Sequence, residues 1–520
     1  MALPAGTAAI IIVAMMAGVF MLAAGRAEGQ RVQTDPEVRA AVRHDVSPAV
    51  RDLPLADLRK IQTNEAPEVR TIPGYFKNKA MTGMDPAMEK RETSKAFAAN
   101  IELNFDGVGN VNATAPGDAN GSVGATQYVQ WVNMSFAIYD KATGKLVKGP
   151  VLGKSLWAGF GGLCQSDNSG DVEVNYDKQA QRWVFTQLAI SGPYMQCFAV
   201  STTPDATGTY HRYAFVVSDS QLNDYPKLGI WPDGYYMSWN MYGMGAPKAC
   251  AFDRASMLAG SGAASVCFQR QTSDFSLLPA DLDGTTPPAQ GEPNYYVELG
   301  QDQHSLNLYE FHVDFADTAK STFTGPTVIT TQPWKQIWSI EEADGGDVLD
   351  ALGDRLMYRL AYRNFGSYES LTAAHTVDRG DGYAGVRWYQ IKNPRGKAEL
   401  AQESTYTDPG KVSVWMPGLA MDKRGNMLLG FSRASMTVDP GVSLTGRLAG
   451  DAPSTMETAT VAVAGNGVMS PENGGRWGDY TGMAVDPGDD CTLWFTTNYV
   501  KSSGQVWATR IVSTKFPGCE

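Results

Sequence analysis

An all-β chain is predicted by three observations. From Ile101 onward the sequence is a succession of short alternating apolar runs closed by Gly, Asn, Asp and Pro. It holds 54 glycines, 22 tyrosines and 12 tryptophans against only 19% charged residues, which favours turn-rich sheet over helical bundle. Asp118, Asp171 and Asp224 open three similar segments at a spacing of 53 residues. A repeat of that size matches one four-stranded antiparallel sheet, the blade of a β-propeller. Residues 101–520 then form a single propeller of seven such blades, about 60 residues each, with six or eight also compatible.

Taken in chain order, Met1 to Gly25 carries no charge and Ala8 to Ala24 is an unbroken apolar run followed by small residues. Residues 1–27 therefore read as a signal peptide, or as an N-terminal anchor because no Lys or Arg precedes the run. Residues 28–100 are rich in charge and proline, with one short helix-like stretch from Pro36 to Arg43, and read as an extended tether or prosegment. The copies follow: Asp118 before 123–133, Asp171 before 172–187, Asp224 before 225–239, Asp354 before 355–362, and Asp479 before 480–495. A sixth, 417–431, keeps the strands and loses the leading Asp; a seventh, 302–313, is the weakest. Two stretches, Gln271 to Pro293 and Ala434 to Arg476, read as loop-like insertions. Six cysteines fall into sequential pairs, Cys164 with Cys197, Cys250 with Cys267 and Cys491 with Cys519, as local disulfides in an oxidising compartment would. The last pair would tie the C-terminus back into the ring. Secretion, or a periplasmic or cell-surface location, follows from leader and cysteines together.

Several strings resemble secreted bacterial proteins of the sialidase-like (BNR-type) β-propeller group. They are 116–124 with 128–133, Asp224-Tyr-Pro-Lys-Leu-Gly-Ile-Trp-Pro-Asp233, 362–366 with Arg387-Trp-Tyr389, and Arg476-Trp-Gly-Asp-Tyr480. The resemblance covers nearly everything from Asn104 on and implies a propeller. The Asp-box of true sialidases survives here only in degraded form, at 486–494 and 422–431.

The net charge of −12 argues against nucleic acid as partner. No HExxH, Walker loop, Rossmann glycine fingerprint or GxSxG elbow occurs, so no nucleotide cofactor is expected. In a propeller the first strand of each blade lies nearest the axis, so Asp118, Asp171, Asp224, Asp354 and Asp479 should form a partial carboxylate ring at one mouth of the channel. Such a ring offers acid–base chemistry on a sugar-like substrate or a divalent-cation site. The structural alternative is that each Asp caps its own turn by accepting backbone N–H groups. Catalytic candidates are Asp171, Asp224, Asp479, Glu369 and Tyr480. Arg363, Arg476, Trp477, Arg387 and Trp388 are candidates for holding a carboxylate-bearing substrate, or are buried bridges to the repeat aspartates. Asp118 and Asn120 resemble half of a calcium loop, making Ca2+ the one cofactor suggested. Trp334 and Trp338 are candidates for stacking on sugar rings. Three functions follow: an exported propeller binding or processing an extracellular carbohydrate, with glycoside-hydrolase-like activity if it is an enzyme; a non-catalytic propeller binding a cell-surface protein; and a uronate-type polysaccharide lyase. A membrane is a partner only if the N-terminal segment is retained.

Overall fold

The structure, a computed structural model, describes residues 35–56, 76, 81–89, 95–242, 246–343, 346, 348–469, 475–504 and 506–520. The leader over 1–27 lies outside the described residues. Among the described residues, seven four-stranded antiparallel units follow one another. Unit 1 is Ala119–Val123, Gln127–Val132, Ser135–Asp140 and Leu146–Leu152. Unit 2 is Glu173–Asp177, Arg182–Ala189, Tyr194–Ser201 and Tyr210–Ser218. Unit 3 is Asn223–Ile230, Gly234–Met241, Ala246–Asp253 and Ala264–Gln269. Unit 4 is Leu278–Asp283, Asn294–Leu299, Ser305–His312 and Thr322–Thr330. Unit 5 is Leu360–Asn364, Glu369–Asp378, Ala384–Lys392 and Glu399–Tyr406. Unit 6 is Ser413–Met421, Met427–Ser435, Val438–Arg447 and Thr460–Val463. Unit 7 is Gly482–Val485, Leu493–Tyr499 and Ala508–Lys515, completed by Asn100–Asp106.

The first strand of each unit touches the first strands of its two neighbours, and that of unit 7 touches that of unit 1. This closed ring is a β-propeller. First strands are sandwiched between neighbouring units and buried along nearly their whole length, so they lack the polar–apolar alternation of a half-exposed strand. Between units, apolar side chains interlock; Trp183, Phe185 and Tyr176 beside Trp131 and Phe136 are one such layer.

The repeat recurs as a backbone kink at the start of the first strand. Asp118 (φ 46°), Asp171 (φ 46°), Tyr225 (φ 56°), Ser276 (φ 53°) and Met416 (φ 52°) all take positive φ there, a conformation unfavourable for any non-glycine residue. Unit 3 sets its kink on Tyr225, one residue beyond the aspartate that marks the repeat in sequence.

Both stretches that read as loop-like insertions carry strands. Residues 271–293 contain the first strand of unit 4, Leu278–Asp283. Pro279 lies inside it and disguises it, since proline argues against an internal strand. The strand pairs with Asn294–Leu299 at Leu278 and Pro279, then crosses to run parallel to Leu360–Asn364 from Ala280 to Asp283. Residues 434–476 likewise contain both outer strands of unit 6. The 302–313 copy is the third strand of unit 4 and its preceding turn.

The helix expected over 36–43 is absent. Glu37–Ala40 instead pairs with Ala264–Gln269 at the edge of unit 3, and Arg43–Val46 pairs with Tyr210–Ser218 at the edge of unit 2. An eight-residue helix has little stability alone, whereas an open sheet edge offers a row of unpaired backbone groups. Farther along, Met88 bridges to Thr405 of unit 5 and Ala96 to Thr458 beside unit 6. The described parts of the segment before the propeller thus run along its outer edges.

All three disulfides are formed, between Cys164 and Cys197, Cys250 and Cys267, and Cys491 and Cys519. The third works beside the pairing of Asn100–Asp106 with Ala508–Lys515, where the two ends of the ring share a sheet. Its loop spans 28 residues, so a Cys491→Ser/Cys519→Ser variant is expected to lose about 3 kcal/mol of unfolding free energy. Denaturant titration of the oxidised wild type and the variant checks this. Among the described residues no helix is long and apolar enough to cross a membrane.

Candidate functional site

The entries to the first strands bring four aspartates to one place. Asp118, Asp171, Asp224 and Asp479, from units 1, 2, 3 and 7, each feel the charge of at least one of the others. Asp118 and Asp479 are buried, while Asp171 and Asp224 are half-buried. Asp118 Oδ1 accepts the backbone N–H of Asp479 at 2.7 Å, and its Oδ2 accepts from Asn133 Nδ2 at 3.2 Å. Asp171 Oδ2 accepts the N–H of Tyr225 at 3.1 Å and the Tyr480 hydroxyl at 3.3 Å. These aspartates do bind backbone, but across unit boundaries: unit 1 holds unit 7, and unit 2 holds unit 3. A cap on the residue's own turn is therefore the wrong description for them.

Around the four stand cations and rings. Arg476 donates to Asp479 Oδ2 at 2.7 Å and to Asp350 Oδ2 at 2.6 Å. Arg355 holds Asp354 through two bonds of 2.7 and 3.1 Å and lies 4.7 Å over the Tyr225 ring. Lys227 Nζ sits 3.5 Å above the same ring and donates to Tyr225 O at 2.8 Å. Tyr225 and Tyr480 face each other at 5.1 Å, and the Tyr225 hydroxyl donates to Asp479 O. Asp354 thus joins the ring's edge already neutralised by Arg355.

Burial, then the charges of neighbouring aspartates, hold Asp118 and Asp171 protonated well above the usual carboxylate range. Burial and the charge of Asp479 push Asp224 up to about 6, against the pull of Arg355, the Tyr242 hydroxyl and Lys227. Burial, with Arg355 nearby, drives Lys227 well below its ordinary value. A half-buried carboxyl near 6 can give or take a proton at neutral pH.

The arginine–aromatic set does not form one cleft. Arg363 is buried against Asp490, with bonds of 2.8 and 2.7 Å, and Met421 O. Arg387 is wholly buried between Asp85, Thr405 and Glu403. Trp388 is core, and Trp477 is core with its Nε1 on Ser432. Only Arg476 reaches the aspartate ring. These residues are bridges and packing because a guanidinium taken out of water must find carboxylates.

Asp118 and Asn120 do not suit calcium. Asn120 belongs to the strand Ala119–Val123, its Oδ1 accepts the N–H of Val174 at 2.7 Å, and its Nδ2 donates to Glu173 at 2.9 Å. Among the described residues no group of three or more His, Cys, Asp or Glu side chains is placed to hold a metal ion.

Glu369 opens the second strand of unit 5, opposite Asn364 at the far end of the first strand and away from the ring. It pairs with Glu292, a partner that sequence spacing does not reveal, and burial together with that neighbour's charge raises it to about 7. Of twelve tryptophans, Trp334 is buried between Phe76 and His375, and Trp338 alone is exposed, at 55%. Trp338 stands beside a small hairpin, Ser339–Glu341 with Val348–Asp350, and its carbonyl accepts from Ala351 N. The hairpin ends on Asp350, which binds Arg476 and the N–H of Trp477. The exposed indole is therefore one short segment from the ring.

No protein-family model matches the chain, and no curated protein matches it. Among solved structures, the WD40 domain of SCAP from fission yeast is similar at 8% identity and a TM-score of 0.33, over 82% of this chain and 97% of that one. An oligogalacturonate lyase from Vibrio parahaemolyticus matches at 10% identity and a TM-score of 0.32, over 81% and 98%. An exo-β-1,3-galactanase from Clostridium thermocellum matches at 10% identity and a TM-score of 0.31, over 81% and 97%.

Proposed function

We propose that the protein is an exported propeller that binds an extracellular carbohydrate at the aspartate mouth and processes it by acid–base chemistry. One observation carries this reading: Asp224 is half-buried, poised at about 6, and beside carboxyls that cannot all ionise together. Asp224 is the proton donor, and Asp171 is the second carboxyl. Trp338 offers the flat apolar face on which a sugar ring stacks. Three disulfides support export to an oxidising compartment. The sialidase-like resemblance enters here through the turn aspartates alone: Asp422 Oδ1 accepts the N–H groups of Arg424 and Asn426, and Asp486 Oδ1 that of Gly488.

The test is a panel of polysaccharides screened for binding and hydrolysis with the secreted protein. Asp224→Asn should keep the wild-type melting temperature and lose turnover by about a hundredfold or more. Trp338→Ala should weaken binding about tenfold without unfolding. If Asp224→Asn unfolds, the aspartates are structural staples. If both variants match wild type on a bound glycan, the mouth is not the site.

A further inference from the structure

A cavity of about 510 Å3, its lining more apolar than polar, opens on unit 4. Its walls are the segment after unit 3 (Arg270 to Asp274), the turn Gly300–Ser305, and Gly325 to Val328 of the outer strand. Arg270 is the unusual member. Its side chain is 3% exposed, its Nε donates to Asp274 Oδ2 at 3.0 Å, and its guanidinium carbon lies 4.9 and 4.4 Å from the ring centres of Tyr309 and Phe323. Among the described residues neither of its terminal Nη atoms has a hydrogen-bond partner, and the residue lines the cavity. A buried guanidinium with its outer edge unpaired is costly unless an acceptor comes to it. The two rings and Asp274 hold that edge in place, so little ordering remains when an acceptor arrives.

We propose that this cavity binds a small sugar acid, with the ligand's carboxylate on the outer edge of Arg270. The planar pair of Nη donors matches a carboxylate. Asn307, Ser305 and His304 line one wall with groups for hydroxyls, and Pro326 and Val328 offer an apolar wall for the carbon face of the ring. The volume suits one or two sugar units. The site shares no residue with the aspartate mouth and stands independently of it.

The probe is glucuronate, with glucose as the control lacking the carboxylate, titrated by calorimetry into the full chain. Saturable binding of glucuronate at millimolar concentration and none of glucose is expected. Val328 is 60% exposed on an edge strand, so Val328→Glu should fold as wild type while placing a repelling charge on the wall; it should weaken glucuronate at least tenfold. Leu146→Ala, an exposed change on the outer strand of unit 1, should bind glucuronate as wild type does. Equal binding of glucose, no saturation by glucuronate, or unchanged affinity in Val328→Glu would each overturn the proposal. Arg270→Gln, if it folds, should abolish binding; should it unfold, Val328→Glu still decides.

Discussion

Replacing Arg359 with methionine is expected to cost about 3–5 kcal/mol of unfolding free energy. Its side chain is 2% exposed, with Nη1 donating to Asp281 at 2.9 Å, Nη2 to Asp283, and Nε to Met483 O at 2.6 Å. Asp283 is shared with Lys178 of unit 2, and Asp281 also accepts the N–H of Ile230 in unit 3. One guanidinium of unit 5 thus joins a cluster reaching units 2, 3, 4 and 7. Burial alone would raise Asp283, and Arg359 with Lys178 more than reverses it. Methionine would leave buried carboxylates short of their counter-charge, the circumstance in which breaking an ion pair costs most. The deficit should shrink as pH falls from 7 toward 4, because without Arg359 the folded state takes up a proton there. Urea titrations of both proteins at the two pH values measure this. A variant within 1 kcal/mol of wild type at pH 7 would show that other units, not this cluster, hold the first strand of unit 4.

That cluster also shows what could be read in the chain and what could not. The 53-residue spacing of Asp118, Asp171 and Asp224 is visible because units 1 to 3 have short connections, and it leads directly to a ring in which those acids meet. Asp281 and Asp283 stayed hidden because Pro279 interrupts their strand, and the parallel pairing that continues it joins residues 80 apart. The cysteines were legible since each pair closes within a single unit or its flank. Glu37–Ala40 and Arg43–Val46 were not, because their partners lie beyond residue 200 and a peptide that short shows no pattern of its own. Arginines chosen for a substrate proved to serve aspartates: Arg363 and Arg387 find Asp490 and Asp85, at separations of 127 and 302 residues. Residue type announces that a guanidinium will hold a carboxylate. Only the fold decides whose.

Stability should be greater at pH 6 than at pH 8, by on the order of 4 kcal/mol. The cause is a set of acids whose folded values are raised, the reverse of the common surface case. Burial, with Asp274 close by, lifts Glu298 to about 8, even though Asn307, the Phe275 N–H and the Tyr309 hydroxyl bind it. Burial and Glu292 lift Glu369 to about 7, burial and Asp479 lift Asp224 to about 6, and burial lifts Asp233 to about 6. Each such group keeps its proton when folded at a pH where the unfolded chain has released it. Its contribution is therefore complete below the unfolded value, near 4, and disappears as pH rises through 6 to 8. Acid limits the gain from the other side. Asp489, held at about 2 by backbone N–H groups against the effect of burial, and the lowered Asp106 and Asp451 lose their contribution as pH falls below 4. His375, kept neutral by burial beside Arg387, begins to count against the fold below its unfolded value of 6.5. The optimum should thus fall between about pH 4 and 5. Glu298→Gln, which mimics the protonated acid, should flatten the profile between pH 6 and 8 by about half. A wild-type profile that is level or rises toward pH 8 would mean that the carboxyl clusters are hydrated and ionised in the folded protein, and with them the proton at Asp224 on which the acid–base reading depends.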